Sequence, residues 1–194
     1  MIILGVTGPF ASGKSLACDY LRSIGFFEID ADKIGKEALL ELKDKIVNEF
    51  GNSIIENNEI NPKKLGNIVF EDEKMMERLN SIVHPFIKGR VRDIIDKNKD
   101  KDIVINAAIM FKIGLNEFVD RIITIFADEE TLINRGQERN GFSRERILKI
   151  INMQKKYNDY LNQADYIIMN NSSKEKFLKK MDKIVRRLQN DNRG

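Results

Sequence analysis

Eight residues constrain this 194-residue chain more than any others: Gly8-Pro9-Phe10-Ala11-Ser12-Gly13-Lys14-Ser15. They fit the pattern G-x-x-x-x-G-K-[ST] and stand between the apolar run Ile2-Ile3-Leu4-Gly5-Val6 and a stretch of helical sequence from Leu16. Gly13 permits backbone conformations and a close approach that a side chain would obstruct, so successive N–H groups can converge on phosphate oxygens. The helix that follows adds the partial positive charge of its N-terminus. Lys14 can bridge the β- and γ-phosphates of a nucleotide, and the Ser15 hydroxyl can ligate Mg²⁺. Chance alone would produce the string in on the order of one chain in a hundred. Its place at a predicted strand-to-helix turn argues for a nucleotide-phosphate site.

The surrounding pattern is that of an α/β chain. Strands are predicted at Ile2–Val6, Phe26–Ile29, Ile103–Ile105, Ile122–Phe126 and Tyr166–Met169, each rich in β-branched or aromatic residues. Helical stretches alternate with them, which predicts a parallel sheet covered on both faces. Between the second and third strands lie about seventy residues of helical spacing with no convincing strand, predicting an inserted helical lobe. Leu39, Leu40, Ile46, Val47 and Phe50 form one stripe there, and Leu79, Ile82 and Val83 another. Pro85 is expected at a helix start, ahead of Phe86, Ile87, Val91, Ile94 and Ile95. Phe177, Met181, Ile184, Val185 and Leu188 predict an amphipathic C-terminal helix. In such sheets ligands bind beyond the carboxyl ends of the strands, so chemistry is sought there.

Composition narrows the partners. Thirty-three Lys and Arg against 30 Asp and Glu leave a formal charge of only +3, too little to argue for nucleic acid or an anionic membrane. The single cysteine, Cys18, makes an internal disulfide impossible. No apolar run approaches the roughly 18 residues of a membrane span, so a cytoplasmic protein is expected.

Three features favour a small-molecule kinase over a GTPase. The nearest approach to the guanine-reading Asn-Lys-x-Asp string is Asn98-Lys99-Asp100-Lys101, which has Lys in the fourth place. The second strand ends in Ile29-Asp30-Ala31-Asp32, putting two carboxylates at the carboxyl edge of the sheet, where a hydroxyl acceptor would need a base. Arg135 and Arg139 share a helix face and are followed by Gly141 and a second basic helix with Arg144 and Arg146. Such a hairpin suits a lid that closes on phosphates. Plainer roles stand beside these: Asp30 or Asp32 as a helix cap, the arginines as a solvated face, and His84 as an N-cap or core contact.

Taken together these residues resemble the dephospho-CoA kinase family over nearly the whole chain. The resemblance is carried by Leu4-Gly5-Val6-Thr7-Gly8 with Gly13-Lys14-Ser15, by Ile29-Asp30-Ala31-Asp32, and by Lys64-Leu65-Gly66-Asn67-Ile68-Val69-Phe70. It continues through Leu79-Asn80-Ser81-Ile82-Val83-His84-Pro85, Arg135 and Arg139 with Gln154, and Ala164-Asp165 followed by Asn170. The resemblance implies a three-layer P-loop kinase fold: a five-stranded parallel sheet, an inserted helical acceptor-binding lobe and a small arginine-bearing lid. The core would comprise residues 1–31, 101–128 and 164–189, the lobe about 32–100 and the lid about 135–150. The implied reaction is MgATP-dependent phosphorylation of the 3′-hydroxyl of dephospho-CoA, the last step of CoA synthesis. Asp32 would be the base that accepts or orients the hydroxyl proton, and Asp30 would support it or a magnesium-bound water. Ala11, Ser12, Gly13, Lys14, Ser15 and Leu16 would wrap the ATP phosphates, and Arg135 and Arg139 would meet them from the lid. Asn170 would lie near the adenine, and His84 would help position the acceptor. A monomer, with weak self-association left open and without nucleic-acid or membrane partners, is expected; other small hydroxyl acceptors, or a weakened nucleotide-binding regulator, are the rival readings.

The chain departs from that family in places. Its loop reads Pro9-Phe10-Ala11 where relatives are richer in glycine, and Pro62 stands where an Arg is usual. After the third predicted strand, Asn106-Ala107-Ala108-Ile109-Met110-Phe111-Lys112 replaces Asp-x-Pro-Leu-Leu-x-Glu. Asn106 can hold a magnesium-bound water but cannot neutralise the ion, and Lys112 puts a cation where an acid is usual.

Overall fold

A computed structural model describes residues 1–157 and 161–191. In chain order they form β1 (Ile3–Thr7), α1 (Lys14–Ser23), β2 (Phe27–Asp30), α2 (Ala31–Glu41) and α3 (Lys43–Phe50). A short 3₁₀ turn, Asn52–Ile54, leads to β3 (Ile55–Glu56), β4 (Glu59–Ile60), α4 (Pro62–Glu71) and α5 (Glu73–Asp96). Then come β5 (Ile103–Asn106), α6 (Met110–Ile113), a second 3₁₀ turn and β6 (Arg121–Phe126). The chain continues with α7 (Glu129–Asn140), α8 (Arg144–Tyr157), β7 (Tyr166–Met169) and α9 (Lys174–Asp191). Two compact units result, Met1–Ile29 with Asn98–Gly194, and Asp30–Lys97.

The first unit holds the five-stranded sheet, ordered β2-β5-β1-β6-β7. β1 runs parallel to both β5 and β6, pairing Val6 with Asn106 and with Ile123, and β6 runs parallel to β7. Every residue of β1 and β5 is buried, as a sheet covered on both faces requires. Ala17, Cys18 and Leu21 of α1 meet Phe177, Met181, Ile184, Val185 and Leu188 of α9 over Leu4, Val6 and Ile123. The C-terminal stripe is thus a core face, and each large apolar side chain there contributes about 1.5–3 kcal/mol on burial. A smaller cluster, Ala127, Leu132, Ile133, Ile147 and Ile151, joins α7 to α8.

At the amino edge of the sheet, aspartates accept from the backbone of neighbouring strands. Asp102 takes the Ile2 N–H (2.8 Å), Asp120 that of Ile3 (2.7 Å) and Asp165 that of Ile122 (2.7 Å). Asp165, part of the family resemblance, therefore works in strand pairing on the edge opposite the phosphate loop.

The second unit departs from the sequence expectation in three places. Pro85 does not start a helix: α5 runs unbroken through it, with His84 in mid-helix rather than at an N-cap. Proline in a helix interior costs one hydrogen bond and a steric clash. Here the apolar face Val83, Ile87 and Val91 is buried on both sides of it, which offsets that cost. The cap lies instead at Asp72, which accepts from the Lys74 N–H (2.8 Å). The supposedly strandless stretch contains the β3–β4 hairpin, pairing Ile55 with Ile60 through Asn57 and Asn58, both at positive φ. Asparagine tolerates that conformation, so the pair makes the tight turn. Finally, the Leu39–Phe50 stripe is divided at Leu42 between α2 and α3, which leaves Leu40 exposed and Ile46 fully buried.

Candidate active site

The phosphate loop links β1 to α1, and its shape is dictated by contacts on both sides. Gly8 has φ +142°, and a Cβ there would sit 2.0 Å from the Ile125 carbonyl oxygen on β6. Gly13 has φ +107° and would push a Cβ to within 2.4 Å of the Asn170 amide. Between them Ala11 takes a left-handed φ of 60°, a conformation costing a non-glycine residue about 1–2 kcal/mol. The Ser12 N–H closes a turn onto the Pro9 carbonyl (3.2 Å). Gly13 caps α1 without any side-chain acceptor, and Ala17 N–H is the one that reaches back to its carbonyl (3.2 Å). A helix start capped in this way keeps its leading N–H groups for an anion.

Lys14 curls over the loop and donates to the carbonyls of Gly8 (3.0 Å) and Pro9 (3.2 Å). Ser15 is exposed on the first turn of α1, and Leu16 is half-buried behind it. Asn170, just past β7 and almost fully buried, donates its amide to the Ser12 carbonyl (2.8 Å). This bond braces the loop from beneath, a duty that the sequence reading did not assign to it.

Several buried polar atoms lack a hydrogen-bond partner, those of Ser12 in the loop and Thr7 just before it among them. Among the described residues they include the hydroxyls of Thr7, Ser12 and Ser172, Asn106 Oδ1 and Arg135 Nη1. Thr7 and Asn106 end adjacent strands, since Asn106 pairs with Val6. The Asn106 amide donates to Glu28 Oε1 (3.1 Å), and Glu28 is also paired with Arg22 Nε (3.1 Å). Glu28 was not singled out from the sequence. It brings a carboxylate to the neutral Asn106, 78 positions away, and only the lateral packing of β2 on β5 reveals this. Lys112 is half-buried on α6.

The arginine hairpin forms around Gly141, which ends α7 in the left-handed region at φ +64°. Its four arginines divide. Arg144 is occupied by Glu130, one contact measuring 2.9 Å, and its guanidinium holds the Glu130 carboxyl below the usual carboxylate range. Arg146 lies over the Phe142 ring, 4.0 Å from its centre. Arg139 is exposed at the end of α7, and Arg135 is half-buried with its unpartnered Nη1. Residue types alone did not separate the two structural arginines from the other two.

Asp30, Asp32 and His84 belong to the second unit. Asp30 caps α2, accepting from the Lys33 N–H (3.0 Å), so the plainer role is realised for this residue. Asp32 is exposed on the first turn of the same helix, and His84 is half-buried in α5.

Comparison with known proteins adds the lineage. The family model "CoaE: Dephospho-CoA kinase" matches residues 2–176. A Fusobacterium nucleatum protein named dephospho-CoA kinase is 37% identical over 186 residues, covering 94% of this chain and 96% of its own. Among solved structures, dephospho-CoA kinase from Campylobacter jejuni superposes with a TM-score of 0.70 at 27% identity, covering 98% of both chains. A Thermus thermophilus crystal structure reaches a TM-score of 0.83 at 22% identity, over 96% of this chain and 97% of that one, a likeness of fold.

Proposed function

The chain belongs to the dephospho-CoA kinase family, and from that premise we propose which residues carry its reaction. The enzyme is an ATP-dependent kinase that phosphorylates the 3′-hydroxyl of dephospho-CoA, giving CoA and ADP. The acceptor oxygen bonds to the γ-phosphorus, the bond from that phosphorus to the β–γ bridging oxygen breaks, and the hydroxyl proton leaves to a base. Little covalent work falls to the protein, so catalysis is mainly positioning and charge.

The observation that carries the assignment is the phosphate loop: a helix start capped by Gly13 without a side chain, with Lys14 held over it. N–H groups of Ala11 to Leu16 wrap the phosphates. Lys14 exchanges its two loop carbonyls for β- and γ-phosphate oxygens. Arg135 and Arg139 meet the same oxygens from the hairpin, a role supported for Arg135 by its buried, unpartnered nitrogen. Asp32 accepts or orients the hydroxyl proton, and Asp30 supports it by holding the first turn of α2. His84 helps to position the acceptor, and Asn170, whose amide braces the loop, is our candidate for the residue near the adenine.

The residues present fit a magnesium ion, a hard cation that prefers oxygen. Ser15 offers an exposed hydroxyl and Asn106 a buried Oδ1 without a partner, while the Glu28 carboxylate beside Asn106 shares its charge with Arg22. When bound, the ion neutralises phosphate oxygens. We place the reaction in the cytoplasm and the enzyme in solution as a monomer, which sedimentation will test. No helix among the described residues is long and apolar enough to cross a membrane.

Coupled ADP release, measured with and without dephospho-CoA, is the direct test. Acceptor-dependent release is expected, and equal rates in both would overturn the assignment. Asp32→Asn should lower turnover at least about a hundredfold while the protein stays folded. Near-parent CoA formation in that variant would remove Asp32 from the mechanism.

A further inference from the structure

Phe10 sits in the phosphate loop yet is fastened to the arginine hairpin at several points. Its backbone N–H donates to Gln154 Oε1 on α8 (2.7 Å). Its ring packs against the α7–α8 cluster and stacks with Phe142, centroids 6.0 Å apart and planes at 18°. Arg146 covers the other ring of that stack. On α7 the seat for the Phe10 ring is Gly136: a Cβ there would come within 2.8 Å of Phe10 Cε1 and of Ile147 Cδ1. Gly136 directly follows Arg135, whose Nη1 is buried without a partner.

A loop that binds phosphate through its backbone has no chemical need for an aromatic ring at this place. The ring, the Gln154 bond and the missing side chain at Gly136 are three separate features that converge on one contact between loop and hairpin. We propose that Phe10 is a positioning residue: it ties the phosphate loop to the hairpin and holds Arg135 where the nucleotide phosphates are met. Loop and hairpin then engage the nucleotide as one body. This inference rests on the reading of Arg135 as a phosphate contact.

A double-mutant cycle on MgATP affinity, read by calorimetry, tests it. Phe10→Ala should weaken binding about tenfold, within the range found for residues sharing one contact network. Phe10→Leu, which refills the seat on Gly136, should recover most of that loss. In the Arg135→Ala background, Phe10→Ala should cost less than about twofold. An equal loss in both backgrounds would overturn the coupling while leaving Arg135 as a phosphate contact. Parent-like affinity in Arg135→Ala alone would instead remove Arg135 from the site, and the inference with it. Thermal melts accompany each variant. Should Phe10→Ala fail to fold, Phe142→Ala replaces it in the cycle, leaving the loop sequence intact, and the same two outcomes decide.

Discussion

The two edges of the parallel sheet treat polar groups in opposite ways. At the amino edge, Asp102, Asp120 and Asp165 each accept from a backbone N–H of another strand, and the strands start in register. At the carboxyl edge and beyond, Thr7, Ser12, Asn106 and Arg135 keep buried atoms without protein partners. Such an atom costs about 1–3 kcal/mol, so a fold keeps several together only where something else provides a return. Stability is gathered at one edge and sacrificed at the other; on the function proposed above, a bound nucleotide with its cation would supply the missing partners.

The difference between the two edges is expected to be widest at Lys14. Lys14→Ala should reduce turnover at least about a hundredfold with little change in melting temperature, because the side chain's loop bonds are modest and the phosphate contacts proposed for it are not. At the opposite edge the pattern should invert. Asp120→Ala strips the Ile3 N–H of its acceptor and should cost about 2 kcal/mol, or roughly 4–8 °C in melting temperature, with kcat unchanged. Thr7→Val sharpens the contrast. Replacing an unpartnered buried hydroxyl with a methyl of the same shape should raise stability by about 1 kcal/mol while lowering activity. If instead Thr7→Val melted earlier, the carboxyl edge would not be the strained one. The smallest effect belongs to the hairpin pair Glu130 and Arg144. The folded carboxyl sits below its unfolded value, so the pair helps above the ordinary carboxylate range and fades as pH falls through the folded value. Glu130→Gln should flatten that acid-side loss of stability and leave neutral-pH melting almost unchanged.

What could be read from residues alone was local. The β-branched runs, the loop between Gly8 and Ser15, the C-terminal apolar stripe and the turn at Gly141 each carry their signal within a few positions. What escaped was set by partners far along the chain. Glu28 meets Asn106 across the sheet, Gln154 reaches Phe10 over 144 positions, and Gly136 is small because a distant ring occupies its space. Pro85 misled for a related reason: its local penalty is real, but the burial of Val83, Ile87 and Val91 along one long helix outweighs it. The β3–β4 hairpin was missed because strands of two residues carry no period to detect.

The posture of Lys14 has a bearing on anion choice. Its ammonium already rests on two carbonyls of its own loop, so an arriving anion competes with bonds in place rather than with water alone. A lone inorganic phosphate offers few oxygens beyond those it must displace, whereas a polyphosphate tail bound as proposed would reach the helix start, the lysine and the hairpin at once. Affinity should therefore climb steeply from mono- to di- to triphosphate, and inorganic phosphate should compete only weakly for the resting loop.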